Sequence, residues 1–156
     1  MIIHLQGNLL ESDCDVIGHQ CNCQMAYGAG IALQIKLKYP KAYQVFLSDD
    51  RKPEDKLGKY TIYDNLKDKT IFNLYGQLDC GYGKVFTDYQ ALRHALAGMM
   101  QWVILSESIY EIKLKVGLPY KIGCGLAGGD WEIVEKIIEE ISNSCYHDIY
   151  VYEYQP

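Results

Sequence analysis

Two small-residue loops constrain this chain more than any other feature. The first ends the stretch HQCNCQMAYGAGIA, residues 19–32, where the apolar run Val16-Ile17-Gly18 leads towards Gly28-Ala29-Gly30. The second, GCGLAGG at residues 123–129, again follows an apolar run and precedes a helical stretch. Glycine stands where a Cβ would block a close approach or where φ must be positive. Loops at helix starts also present free N–H groups, which suit phosphate. Two such loops after strands imply an α/β fold in which both face one cleft at the strand ends.

The chain of 156 residues is long enough for a real core and is read as a single domain, 1–156. With 49% apolar and 22% charged residues it has the balance of a soluble globular protein. No apolar run approaches the ~20 residues of a membrane span. The opening MIIHLQGNLL lacks a basic region and a cleavage signal, and reads as a first strand. A net charge of −5 without a Lys/Arg cluster argues against general nucleic-acid binding, because the phosphate backbone needs a basic footprint. A small anion held by backbone amides, or one modified nucleic-acid end, remains open. The six cysteines form no CxxC and the four histidines show no ligand spacing, so reduced thiols in a cytoplasmic protein and no metal are expected.

Short apolar runs bounded by turn residues place strands at 2–6, 15–20, 58–63, 70–75, 114–118 and 148–154. A helix is expected over 88–105, with Thr87 and Gln90 at capping-box spacing and Leu92, Leu96, Met99 and Val103 on one face. Another spans 131–141, with Asp130 as N-cap and Ile133, Ile137 and Ile141 four apart. Residues 31–39 alternate like a strand and also fit a helix, and periodicity alone leaves both open. Pro40 breaks that element before a helix around 42–48, and the charged patch 48–59 reads as a surface loop.

Taken together, these motifs resemble the macro-domain family, ADP-ribose-binding proteins with a three-layer α/β/α fold and a central mixed, largely parallel sheet. The opening strand with GNLL, Asn22 followed by five residues and GAGIA, then IGCGLAGGDW and VYEY, occur in the family's order over nearly the whole chain. The similarity points to phage and bacterial proteins that process ADP-ribose 1''-phosphate, and to their kin, the terminal ADP-ribose protein glycohydrolases. It implies that 31–39 is helical. It also places Gly7 and Asn8 at the adenine, Asn8 contacting its amine; a turn cap is the plainer reading of Asn8. Tyr152 stands where an aromatic covers the adenine face, although its alternation with Tyr150 and Tyr154 also fits core packing. Asn22 matches the residue that reaches the distal ribose. Gly28, Ala29 and Gly30, with the helix start at Ile31, match the first diphosphate loop. Gly123, Cys124, Gly125, Leu126, Ala127 and Gly128 match the second. Their N–H groups would hold phosphate without a lysine.

The glycohydrolase kin use a lysine and an aspartate where this chain has Gln77 and Ala127, so a lysine-adduct mechanism is not expected. His19 is a candidate proton carrier, against a strand histidine satisfied by its surroundings. Asp130 is a candidate for activating water, against a plain N-cap. The loop 77–85 is either a lid bringing Tyr82 or Lys84 to a terminal phosphate or a solvated loop. Cys124 reads as a small residue permitting close approach rather than a nucleophile. The resemblance implies binding of ADP-ribose or a derivative, free or on a protein or nucleic-acid end, without a cofactor and away from membranes. It further implies hydrolysis of a substituent at the distal ribose, by a 1''-phosphatase or an ADP-ribosyl ester hydrolase. The alternatives are a non-catalytic reader and a protein that sequesters an ADP-ribose-type signal.

Overall fold

A computed structural model describes residues 1–65 and 67–155. The strands are β1 Ile2–Gln6, β2 Val16–Asn22, β3 Tyr60–Tyr63, β4 Thr70–Gln77, β5 Val116–Pro119 and β6 Ile149–Glu153. They form one sheet in the order β1-β6-β5-β2-β4-β3, parallel throughout except for the antiparallel edge pair β3 and β4. The helices are α1 Gly30–Lys38, α2 Pro40–Leu47, α3 Pro53–Lys56, α4 Tyr89–Tyr110 and α5 Trp131–Cys145.

Strand β2 lies inside the sheet, so both its faces need a cover. Val16 joins Phe72, Leu74, Leu118 and the apolar sides of α4 and α5 in one core. Ile17 and Cys21 join Ile35, Ala42 and Phe46 of α1 and α2 in the other. The result is the expected three-layer α/β/α arrangement. Gly18 turns towards the α4 side, where a Cβ would stand 2.9 Å from Leu118 Cδ2 and Met99 Sδ. A larger residue there would push the helix layer off the sheet.

All six expected strands are present, and residues 31–38 resolve as helix, with Ile35 buried and Tyr39 as the residue that ends it. Four details differ from expectation. Helix α4 is capped by Asp88, whose side chain accepts from Ala91 N, and not by a Thr87/Gln90 box; Thr87 Oγ1 donates instead to Gly123 O. Ile133 is exposed, and Val134 and Ile138 complete the buried face of α5. Pro40 starts α2 at its first residue, where its missing N–H costs nothing. The charged patch 48–59 carries the short α3 and a buried Lys56. Among the described residues no helix is long and apolar enough to cross a membrane.

Candidate functional site

A cavity of about 730 Å³ opens across the C-terminal ends of β2, β4 and β5, where parallel strands of an α/β sheet present their loops. Both glycine loops line it. The first contributes Gly28, Ala29, Gly30 and Ile31, and the second Gly123, Gly125, Leu126 and Ala127. Ala29 precedes α1 without a side-chain cap, so the first N–H groups of that helix are left for another acceptor. In the second loop Cys124 N bonds Lys121 O, Gly128 N bonds Gly125 O, and Gly129 N bonds Gly123 O; the amides of Gly125, Leu126 and Ala127 enter none of these bonds. Gly30 adopts φ 56° and Gly123 φ 74°, left-handed conformations that favour glycine.

Asn22 and Gln77 line the β4 end of the cavity, and Ala127 lies on its wall. Asn22 is more engaged than its sequence position suggests. Its Oδ1 accepts from Gln24 N at 2.9 Å and Ala26 N at 3.2 Å, and its Nδ2 donates to Ala26 O at 2.8 Å. The side chain thus folds the loop that delivers Tyr27 and Gly28 to the cavity, and one Nδ2 hydrogen is left over.

Neither candidate for proton transfer is on the cavity. His19 shares its face of β2 with Ile17 and Cys21 and points into the α1/α2 layer, fully buried. Its Nε2 lies 2.7 Å from Asn73 Oδ1 and 3.0 Å from the Tyr27 hydroxyl, and burial pulls its pKa down to about 4, against the opposing pull of Asn73. The ring is a neutral strut beneath Tyr27. Asp130 is exposed at the start of α5 and accepts from Glu132 N at 2.9 Å, the N-cap reading.

Several other expected site residues also stand off the lining. Asn8 caps a 3-10 turn, Leu9–Glu11, by accepting from Leu10 N at 3.0 Å. Tyr152 is buried with Leu9, Leu10 and Cys14, as core packing predicts. Gly7 bonds Glu153 O across the β1/β6 end. Cys124 turns its thiol to Ile122 O at 3.4 Å, and burial pushes its pKa up to about 11, which suits a structural thiol. At Gly128 (φ 71°) an added Cβ would meet Lys84 O at 2.8 Å, so this glycine serves the fold. From the loop after β4, Cys80, Gly81 and the exposed Tyr82 reach the cavity, and Lys84 does not.

The contributors missed include Pro119 and Tyr120 at the β5 end, Lys121, Tyr27 and Gln20. Lys121 lines the cavity and is the one charged side chain to do so among the described residues. It is held at φ 59°, which no sequence pattern announced. Tyr27 lines the wall on its His19 and Asn73 anchor; its place one residue before the glycine loop was the available signal. Gln20 was passed over, although strand alternation puts it on the face opposite His19, where its Nε2 reaches Gln77 Oε1 at 2.8 Å and Thr87 Oγ1 at 2.9 Å.

No protein-family model matches the sequence. The ADP-ribose 1''-phosphate phosphatase of Candida glabrata is 28% identical over 96% of this chain and 97% of its own length. The macrodomain of Mycobacterium tuberculosis DarG superposes with a TM-score of 0.73 at 25% identity, covering 100% of this chain and 98% of that one. The chain has the macro-domain fold. The DNA ADP-ribosyl glycohydrolase of the same bacterium is 30% identical over 87% of the chain, which spans only 37% of that longer protein. Within this fold the two glycine loops come from the strand ends on which the sequence placed them.

Proposed function

We propose that the protein binds ADP-ribose or a close derivative across this cavity and hydrolyses a substituent on the distal ribose. The observation that carries the reading is the pair of loops: an uncapped helix start and a second run of unbonded amides line one cavity. The diphosphate lies between them, its charge met by backbone dipoles and by Lys121. The distal ribose lies at the β4 end, beside Asn22 and Gln77. The adenosine half lies at the β5 end, beside Pro119 and Tyr120. The substituent is a 1''-phosphate or an ADP-ribosyl ester on a protein or nucleic-acid end, and the site of action is the cytoplasm. Acceleration comes from positioning and from N–H groups aimed at developing charge. No proton transfer is assigned to His19 or Asp130, since both are engaged elsewhere.

That engagement favours a second reading, a reader that binds ADP-ribose and turns nothing over. Titration calorimetry with ADP-ribose, against AMP and ribose phosphate, tests what the two readings share. Saturable binding on the order of micromolar, much weaker for the fragments, is expected. Prolonged incubation with ADP-ribose 1''-phosphate then separates them by the presence or absence of released phosphate.

A further inference from the structure

Gln20 has an oddity that its neighbours explain. Its Oε1 is buried and has no partner among the described residues, yet Gly76 and Gly123 both make room for it: a Cβ at either would stand 2.5 Å and 2.7 Å from that oxygen. A buried acceptor left unpaired is costly, so something must be gained by holding the amide this way round.

The gain is visible in Gln77. Its Nε2 donates to Asp79 O at 2.8 Å, a backbone carbonyl that can only accept, so its Oε1 must face Gln20. Gln20 must therefore present Nε2 to it. The other Gln20 hydrogen goes to Thr87 Oγ1, whose own hydrogen goes to Gly123 O at 2.6 Å. Every direction in this chain is dictated by a backbone carbonyl at its end, and Gln20 Oε1 is the atom left out. The consequence is that the Gln77 carbonyl is engaged while one of its N–H groups is spare. Asn22, at the same end of the cavity, is in the same condition, with two backbone amides on Oδ1 and one Nδ2 hydrogen spare.

We propose that Gln20 is a positioning residue that makes the β4 end of the cavity a surface of donors, and that this end selects an oxyanion, a phosphate monoester, on the distal ribose. Neutral N–H groups hold phosphate oxygens without a counter-charge, and they reject a substituent that is itself only a donor. The proposal rests on the placement of ADP-ribose given above and favours the phosphate of its two substituents through charge: an ester carbonyl also accepts from these N–H groups, but hydrogen bonds to a charged acceptor are the stronger.

The test is titration with three probes: ADP-ribose, a hydrolysis-resistant 1''-phosphonate of ADP-ribose, and ADP-ribosyl-arginine, whose guanidinium can only donate. In the unaltered protein the phosphonate should bind about tenfold tighter than ADP-ribose, since hydrogen bonds to a charged group are the strong ones, and the arginine adduct weaker than either. Gln20→Met, which keeps length and removes both N–H groups, should bring the phosphonate preference to within about threefold while ADP-ribose still binds. Gln77→Met should do the same, and the double variant no more, because Gln20 acts through Gln77. Should Gln20→Met fail to fold, Gln77→Met still reads the preference. Equal binding of phosphonate and arginine adduct, or a preference untouched in either variant, overturns the proposal while leaving ADP-ribose binding intact. Absence of ADP-ribose binding in the unaltered protein overturns the placement beneath it instead.

Discussion

At Gly28 in the first loop a Cβ would meet nothing within 4 Å, whereas at Gly129 in the second it would stand 2.5 Å from the Gly123 carbonyl oxygen. The two loops look interchangeable in sequence, and their glycines answer to different neighbours. In the first loop the space beside Gly28 and Gly30 is open. In the second, most glycines are held by the protein itself: Gly123 by Gln20, Gly128 by the Lys84 carbonyl, Gly129 by Gly123. Gly125 is the exception, open like Gly28 and flanked by a lining amide. A glycine-rich motif therefore mixes positions that open on free space with positions that hold the loop together.

The sharpest way to break this comparison is Gly129→Ala. Backbone against backbone cannot give way cheaply, so a stability loss of about 3 kcal/mol is expected in urea denaturation; a loss below about 0.5 kcal/mol would show that the loop relaxes freely. The wall behind the first loop should reveal itself through pH. His19 has a pKa near 4 in the fold against 6.5 as its ordinary value, so the unfolded chain takes up its proton first. Its contribution is fully present above pH 6.5 and is lost as the pH falls towards 4, about 3 kcal/mol in all. A His19→Gln variant should lose that part of the slope, seen by comparing denaturation curves at pH 7 and pH 4.5. Next in size, Gly28→Val should leave stability within about 0.5 kcal/mol and weaken ADP-ribose about tenfold or more by calorimetry, a separation that Gly129→Ala cannot show. Smallest, Asp130→Ala should cost about 1 kcal/mol through loss of the α5 cap, with ADP-ribose affinity unchanged within about twofold. A tenfold loss of affinity there would return Asp130 to the site.

Most of the fold was legible because strands buried on both faces announce themselves as apolar runs, and β2, β4 and β6 did so. Residues 31–39 were not, since Ile31, Leu33, Ile35 and Leu37 satisfy both periods; α1 is a short helix with one buried residue, and tertiary packing decided it. The glycine loops were legible as loops. What each glycine touches was not, because Gln20 and Lys84 reach their partners from distant parts of the chain. His19 misled for a related reason. Its residue type suggests proton transfer, and only strand register turns it away from the cavity and onto Asn73. Lys121 was invisible because a lone lysine in a loop carries no periodicity.

Gln77 and Thr87 pair across the base of residues 78–86, and Phe86 and Thr87 both donate to Ala127 O. The loop that overhangs the β4 end thus leaves and re-enters the fold at one fastened point. Its tip, Cys80 to Gly83, lies outside that fastening, and the second glycine loop is held against the Lys84 carbonyl beyond the tip. In evolutionary language the protein separates an anchor from a cassette: the fastening and the glycine loops are set by the fold, while the tip is the part that mutation can vary with the fewest internal contacts to disturb.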